Sequence, residues 1–471
     1  MLIEHRMRTA LALLVKGLVP ALLLAGSAQA EKYVLLGWND LGMHCANGDF
    51  SSFVVLPPYN NVRAQLVYSQ EGSLPQLVTE GVRIDYSIPG NTTSVTKTNF
   101  WDYAQQIFDL PAPLPPDVGL TGNGLTGSME ALDGFFEVTG VPITPFQDDD
   151  LVNEQPFQLI RLEARRESDN FLLAMTEVVI PVSNEIGCVS SGCHSSEQSI
   201  LNHHDDEAGF DPNDTPILCA RCHSSNALGT PGIPEARSLS YRLHEKHKDI
   251  RPTNSIATCY KCHPGNQAQC LRGVMATGID EPMICQSCHG TMRDVAESIS
   301  EGRRPWLDEP SCGASNCHGS NYAEQPNTLF RMSTGHGGLY CSACHGSPHA
   351  ILPSSEENDN LQVISLQGHA GTLAQCTVCH TDIPMGNGPH GSPAPAAAVA
   401  DLQIVRLAGN QAHLSWSPVQ GVSSYLVYSM PSADARPAQW TLLGDQAATE
   451  YDDLIGTPDE ERFYRVVCVS H

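Results

Sequence analysis

Apolar and polar positions alternate differently in three zones of the chain. Between residues 31 and 185, the runs "KYVLLGW", "NVRAQLVY", "GVRIDYSI", "FFEVTGV", "FQLIRLEARR" and "FLLAMTEVVIPV" are separated by Gly, Pro and Asn, and "LPAPLPPD" punctuates them. Branched and aromatic residues bounded by turn formers predict short antiparallel strands and a β-rich, sandwich-like N-terminal domain. Residues 186–390 lose this pattern: long apolar runs are scarce and Gly, Ser and His accumulate. Short helices with little regular structure are expected there. Beyond a Pro/Ala-rich linker over 391–400, strand runs return in 401–471 as "LQIVRLAG", "QAHLSWSPV", "SSYLVYSM", "WTLLGD", "ATEYDDL" and "RFYRVVCV".

Residues 1–30 stand apart from all three zones. Early arginines, an apolar run and the small-x-small end Ala28-Gln29-Ala30 read as a cleaved secretory signal peptide, with Glu31 the first mature residue. Lys16 interrupts the apolar run, and no later stretch is long and apolar enough to span a bilayer. An exported protein without a transmembrane segment is therefore expected, either periplasmic or extracellular at the cell surface. Acidic residues number 52 against 26 basic ones, a formal net charge of −26. That balance argues against nucleic acid and anionic lipid as partners and favours cationic ones. Aromatic residues make up only 6%, so the middle zone is short of side chains for a conventional core. Buried cofactors would supply one.

Seventeen cysteines in an exported chain would ordinarily mean disulfides. Fourteen of them instead form seven pairs, each followed directly by histidine. Five pairs have two intervening residues: Cys219/Cys222/His223, Cys259/Cys262/His263, Cys285/Cys288/His289, Cys341/Cys344/His345 and Cys376/Cys379/His380. Two have four: Cys188/Cys193/His194 and Cys312/Cys317/His318. C-x-x-C-H is the attachment sequence of c-type haem. Two thiols about one helical turn apart reach the two vinyl groups on one porphyrin edge, and the following histidine takes the iron as proximal ligand. In the longer clusters the extra residues need only bulge out. Zinc ribbons combine two cysteine pairs in one tetrahedral site and do not require histidine after each pair, so seven covalently attached haems are the preferred expectation.

Seven six-coordinate haems need seven further axial ligands. The candidates in or beside the same zone are His203, His204, His244, His247, His336, His349, His369 and His390. His345 and His349 are four apart and would share a face of a helix, so His349 is expected to serve a neighbouring haem rather than the one held by His345. Adjacent His203 and His204 would likewise face different haems. His44 is assigned a structural role. A disulfide between Cys45 and Cys270 would join the first two zones, leaving Cys468 buried or free.

The seven motifs, together with "GWNDLGMHC" and "CHPGNQAQC", resemble the multihaem c-type cytochromes that bacteria export for respiratory electron transfer. The resemblance implies stacked bis-histidine haems that conduct electrons between membrane-side donors and redox proteins or external acceptors such as metal oxides, with self-assembly into filaments in some members. Residues 401–471 resemble a fibronectin type III domain, with Trp416 at the second-strand core position and Tyr464 in the sixth strand. The run of strands reaches His471 without a seventh, so an edge is expected to be open or filled by another segment. The leading functional expectation is an electron carrier with no catalytic residues. Histidine in place of methionine as axial ligand lowers the haem potential, which suits such a carrier. The alternatives are a multihaem reductase with one open iron site, acting on nitrite, hydroxylamine or a sulfur oxyanion, and a filament or surface assembly subunit.

Overall fold

A computed structural model describes residues 31–208, 210–278, 281–319, 324–325, 327–381, 388–391, 399, 401–407, 410–419, 424–430, 441–455 and 462–469. The expected signal peptide and most of the expected linker lie outside these residues. Within them, β-sheets at both ends flank a central region of short helices and little regular structure.

All six N-terminal runs contain strands, arranged in two antiparallel sheets. One sheet orders Lys32–Asn39, Val62–Ser69, Phe135–Val138 and Glu130–Leu132, with Gln76–Leu77 also on Val62–Ser69. The other orders Leu172–Val179, Leu159–Arg166, Val82–Ser87 and Gly127–Ser128. In Val82–Ser87, residues 82, 84 and 86 are buried and the intervening ones half-buried, as period-two alternation requires. Leu35, Leu66, Ile84, Phe136, Ile160 and Leu162 from both sheets share one core, each such side chain contributing roughly 1.5–3 kcal/mol. A Cβ at Gly37 would stand 2.6 Å from Leu162 Cδ1, so only glycine lets the sheets approach there. The helix Phe100–Ile107 was not expected. Its buried Phe100, Trp101, Ala104 and Ile107 follow helical spacing and pack with Phe50, Val54 and the central-region residues Leu218 and Ala220.

The central region has little core of its own. Among its described residues twelve apolar side chains are buried, six of them alanine, against thirty-four in residues 31–185. The helices Leu239–His247 and Cys285–His289 bury none. The N-terminal sheets instead hold the region from outside. Ile217–Leu218 pairs in parallel with Phe53–Val54. The Glu185 carboxylate accepts hydrogen bonds from the backbone N–H groups of Gly265, Asn266, Gln267 and Ala268 at 2.9–3.1 Å, which orders the "HPGNQAQC" loop. Gln362, on the helix Glu357–Gln367, accepts from Gly37 N–H at 2.7 Å and donates to Gly37 O at 3.1 Å.

Arg272 is the central joint. Its side chain is 2% exposed, pairs with Asp359 at 2.6 Å, donates to Gly42 O at 2.7 Å and lies over the Phe157 ring. It therefore ties both sheets to the central region through one buried charge.

The C-terminal residues form two three-stranded antiparallel sheets. One orders Gln403–Leu407, Gln411–Ser415 and Glu450–Leu454; the other orders Thr441–Gln446, Ser424–Met430 and Phe463–Val469. All six C-terminal runs thus contain strands. Val399, from the end of the linker, is buried and donates its N–H to Val466 O at 3.1 Å, so part of that strand's backbone is partnered by the incoming chain. Among the described residues, no helix is long and apolar enough to cross a membrane.

Replacing Arg272 with Met would strand the Asp359 carboxylate in a buried site. A loss of about 3–5 kcal/mol is expected, read as a lower unfolding midpoint in urea. Arg272→Met with Asp359→Leu should recover part of it, because the unpaired charge is then gone.

Candidate functional site

Each cysteine pair of the central region sits on a single tight turn. Cys285–His289 and Cys341–His345 are short helices. In three other clusters the histidine N–H closes the turn onto the first cysteine's carbonyl: His223 to Cys219 at 3.0 Å, His263 to Cys259 at 3.0 Å and His380 to Cys376 at 2.8 Å. The two long clusters close the same way. His194 N–H reaches Cys188 O at 3.1 Å, and His318 N–H reaches Cys312 O at 3.1 Å. The two additional residues are absorbed inside the loop, with Gly192 of the first in the left-handed conformation at φ +76°. Both spacings therefore present two thiols and one imidazole from one turn.

Six of the seven motif histidines face a second histidine from elsewhere in the chain. Ring centroids are 6.2 Å apart for His194 and His247, 5.9 Å for His223 and His204, and 6.2 Å for His263 and His244. They are 6.3 Å apart for His289 and His349, 6.0 Å for His380 and His336, and 6.0 Å for His345 and His390. Two imidazoles bound to opposite sides of one metal, each nitrogen about 2 Å from it, have centroids roughly 6 Å apart. The gap in each pair fits one metal ion.

Several rings are also oriented for ligation. Nδ1 of His223, His244 and His247 donates to the carbonyls of Arg237, Ser240 and Leu243, each at 2.7 Å. His349 Nδ1 donates to Leu41 O at 3.2 Å and His369 Nδ1 to Ala370 O at 2.9 Å. A donor at Nδ1 leaves the Nε2 lone pair for a metal. Burial, reinforced by neighbouring imidazoles, lowers the His263 pKa to about 4, and burial with the neighbouring charges lowers that of His289 to about 4. His244 and His345 are lowered for the same first reason. Neutral rings are the form that binds metal.

The remaining candidates fall differently. His318 is exposed, and among the described residues no imidazole faces it at this spacing. His203 is exposed, whereas its neighbour His204 is in a pair. His369 is half-buried with its Nδ1 anchored as above. His349 does face the histidine of another cluster, but helical spacing is not the reason: the helix ends at His345, and His349 stands at φ +67°. His44 is buried and hydrogen-bonded through Nε2 to Asp40 at 2.7 Å, which occupies the nitrogen a metal would need.

The geometry bears on the competing uses of these residues as well. Among the described residues, no group of three or more His, Cys, Asp or Glu side chains converges as a zinc site would require. Burial pushes the Cys219 and Cys344 thiols up to about 12, away from the thiolate that zinc needs. The sixteen described cysteines are all free thiols. Cys45 and Cys270 are near enough that each raises or feels the other's charge: burial first, then Cys270, raises Cys45 to about 12. Comparison with protein families, curated proteins and solved structures finds no match.

The pairings themselves were illegible in the sequence. No spacing rule links His204 to His223 or His390 to His345; the folded backbone alone does. The carbonyl anchors at Nδ1 belong to main chain and leave no residue-type signal.

Because His263 and His289 bind protons more weakly folded than unfolded, they stabilise the fold fully above the ordinary histidine pKa of about 6.5 and lose that contribution as pH falls toward about 4. The urea midpoint should be flat above pH 7 and decline across that window, with a smaller decline in His263→Gln.

Proposed function

We propose that the chain is a multihaem c-type cytochrome that carries electrons through seven covalently attached haems. The observation that carries this reading is the set of six histidine pairs with centroids 5.9–6.3 Å apart, each with one member directly after a cysteine pair. The sparse core of the central region supports it, since unburied helices such as Leu239–His247 leave room for flat apolar groups.

In this reading each cysteine adds its S–H across a porphyrin vinyl group, the sulfur bonding to one carbon and the hydrogen to the other, so that nothing is released. The histidine after each pair takes the iron from one side. His204, His244, His247, His336, His349 and His390 take it from the other, with backbone carbonyls fixing several of these rings. When bound, the haem irons supply reversible one-electron redox chemistry. The protein residues hold the irons closed to substrate and set their spacing. The N-terminal sheets act as a sandwich-like docking scaffold. The strand order of the C-terminal sheets, with Trp416 buried in their core, supports a fibronectin type III-like module without a seventh strand. An exported location and exchange with redox proteins or external acceptors such as metal oxides fit the leader and the acidic surface.

His318 favours a second reading at its own site. Its exposed ring meets no second imidazole among the described residues, as an open iron in a multihaem reductase for nitrite, hydroxylamine or a sulfur oxyanion would require.

The intact mass of the mature protein should exceed that of the polypeptide by seven haems; five would return the two long clusters to another role, and none would end the reading. Ferric spectra should be low-spin, and His247→Ala should convert a single haem to high spin. A high-spin haem in the unaltered protein, lost in His318→Ala, would favour the second reading. Binding to a cationic redox partner should weaken as salt is raised from low to physiological ionic strength.

A further inference from the structure

The helix Leu239–His247 carries two of the paired histidines three residues apart, hence on one face. His244 faces His263, and His247 faces His194. One helix face thus brings the first and third clusters side by side. Gly187, immediately before Cys188, reinforces this by donating its N–H to Cys262 O at 3.4 Å. The second cluster is on the far side of the first: His204, on the helix Glu197–Ala208 that follows His194, faces His223. The thiols agree with this placement. After burial, Cys219 is raised by Cys188, and Cys262 by Cys188 and Cys193.

The rest follows sequence order. Gln286, inside the fourth cluster, donates to Cys259 Sγ of the third at 3.5 Å. Cys288 of the fourth is raised first by burial and then by Cys317 of the fifth. Glu324 accepts from Gly313 N–H at 3.2 Å in the fifth. The next residue, Gln325, donates its N–H to Ser333 Oγ at 3.3 Å, and Ser333 O accepts from Cys341 N–H of the sixth at 2.9 Å. Leu373, on the approach to the seventh, donates to Cys344 O at 2.9 Å. His336, just before the sixth cluster, faces His380 of the seventh.

We infer that the seven attachment sites form one line in the spatial order His223, His194, His263, His289, His318, His345, His380, so that the second cluster in sequence is an end of the line and the first is internal. This rests on the haem reading above. The His223 site, with its Cys222 exposed, is then one port for electron exchange and the His380 site the other.

The order is tested with two full-length variants, Cys188→Ala/Cys193→Ala and Cys219→Ala/Cys222→Ala, each confirmed by intact mass to lack one haem. A soluble ruthenium photoreductant delivers less than one electron per molecule, and redistribution among the haems is followed in the Soret band. Removing the His194 haem should isolate the His223 haem, so that one haem's share of the fast redistribution is lost. Removing the His223 haem should leave the fast phase of the remaining haems intact. The opposite pattern would establish sequence order and overturn the inference; equal effects in both variants, or none in either, would overturn it too. A protein carrying no haem by mass would remove the haem reading itself and the inference with it. If the cysteine variants fail to load their remaining haems, His247→Met and His204→Met carry the test with every attachment cysteine kept. Methionine raises the potential, placing a trap inside the line in the first variant and at its end in the second. Only the first should slow redistribution among the other six haems.

Discussion

Two neutral imidazoles with centroids 6 Å apart barely touch, since dispersion fades quickly beyond about 4 Å between atoms. Nothing in such a pair accounts for its own spacing, yet the chain repeats it six times between 5.9 and 6.3 Å. The central region is organised around those gaps. Its turns bring thiols beside one ring of each pair, its carbonyls hold several of the rings by Nδ1, and its helices leave apolar flanks uncovered. An iron–porphyrin group between the rings satisfies all three features together, which is why the cytochrome reading outweighs separate explanations for each.

A segment built around inserted groups depends on outside support for its backbone. Arg272, Glu185 and Gln362 provide it at three points of the N-terminal sheets. Each uses a side chain to satisfy polar groups that the central region leaves without secondary-structure partners: Arg272 takes a carbonyl and a carboxylate, Glu185 four N–H groups, Gln362 both backbone groups of Gly37. A buried polar group left unpaired costs about 1–3 kcal/mol, so these contacts fix the position of the central region as well as its attachment. The N-terminal sheets are thereby a frame for the line of sites, and the interface between them is ionic and hydrogen-bonded more than apolar.

The strands were legible because period-two burial writes itself into residue types, as in Val82–Ser87 and Leu159–Arg166. The helix Phe100–Ile107 was missed because eight residues following a polar turn carry too few repeats of the helical period to stand out. The attachment turns were legible because their chemistry needs Cys and His at fixed spacing. The longer loop in "SCGASNCHGS" proved compatible with the same closure, His318 onto Cys312, although its length alone left that open.

The sequence by itself determined the three zones, the number of attachment turns and the supply of histidines, since each depends on local composition or on spacing within a few residues. Tertiary structure alone decided which histidine faces which, that His44 is engaged by Asp40, and that the first two clusters stand in reversed order in space. Those are contacts between residues far apart in the chain. They are set by where the sheets, loops and helices pack, and no local pattern encodes that.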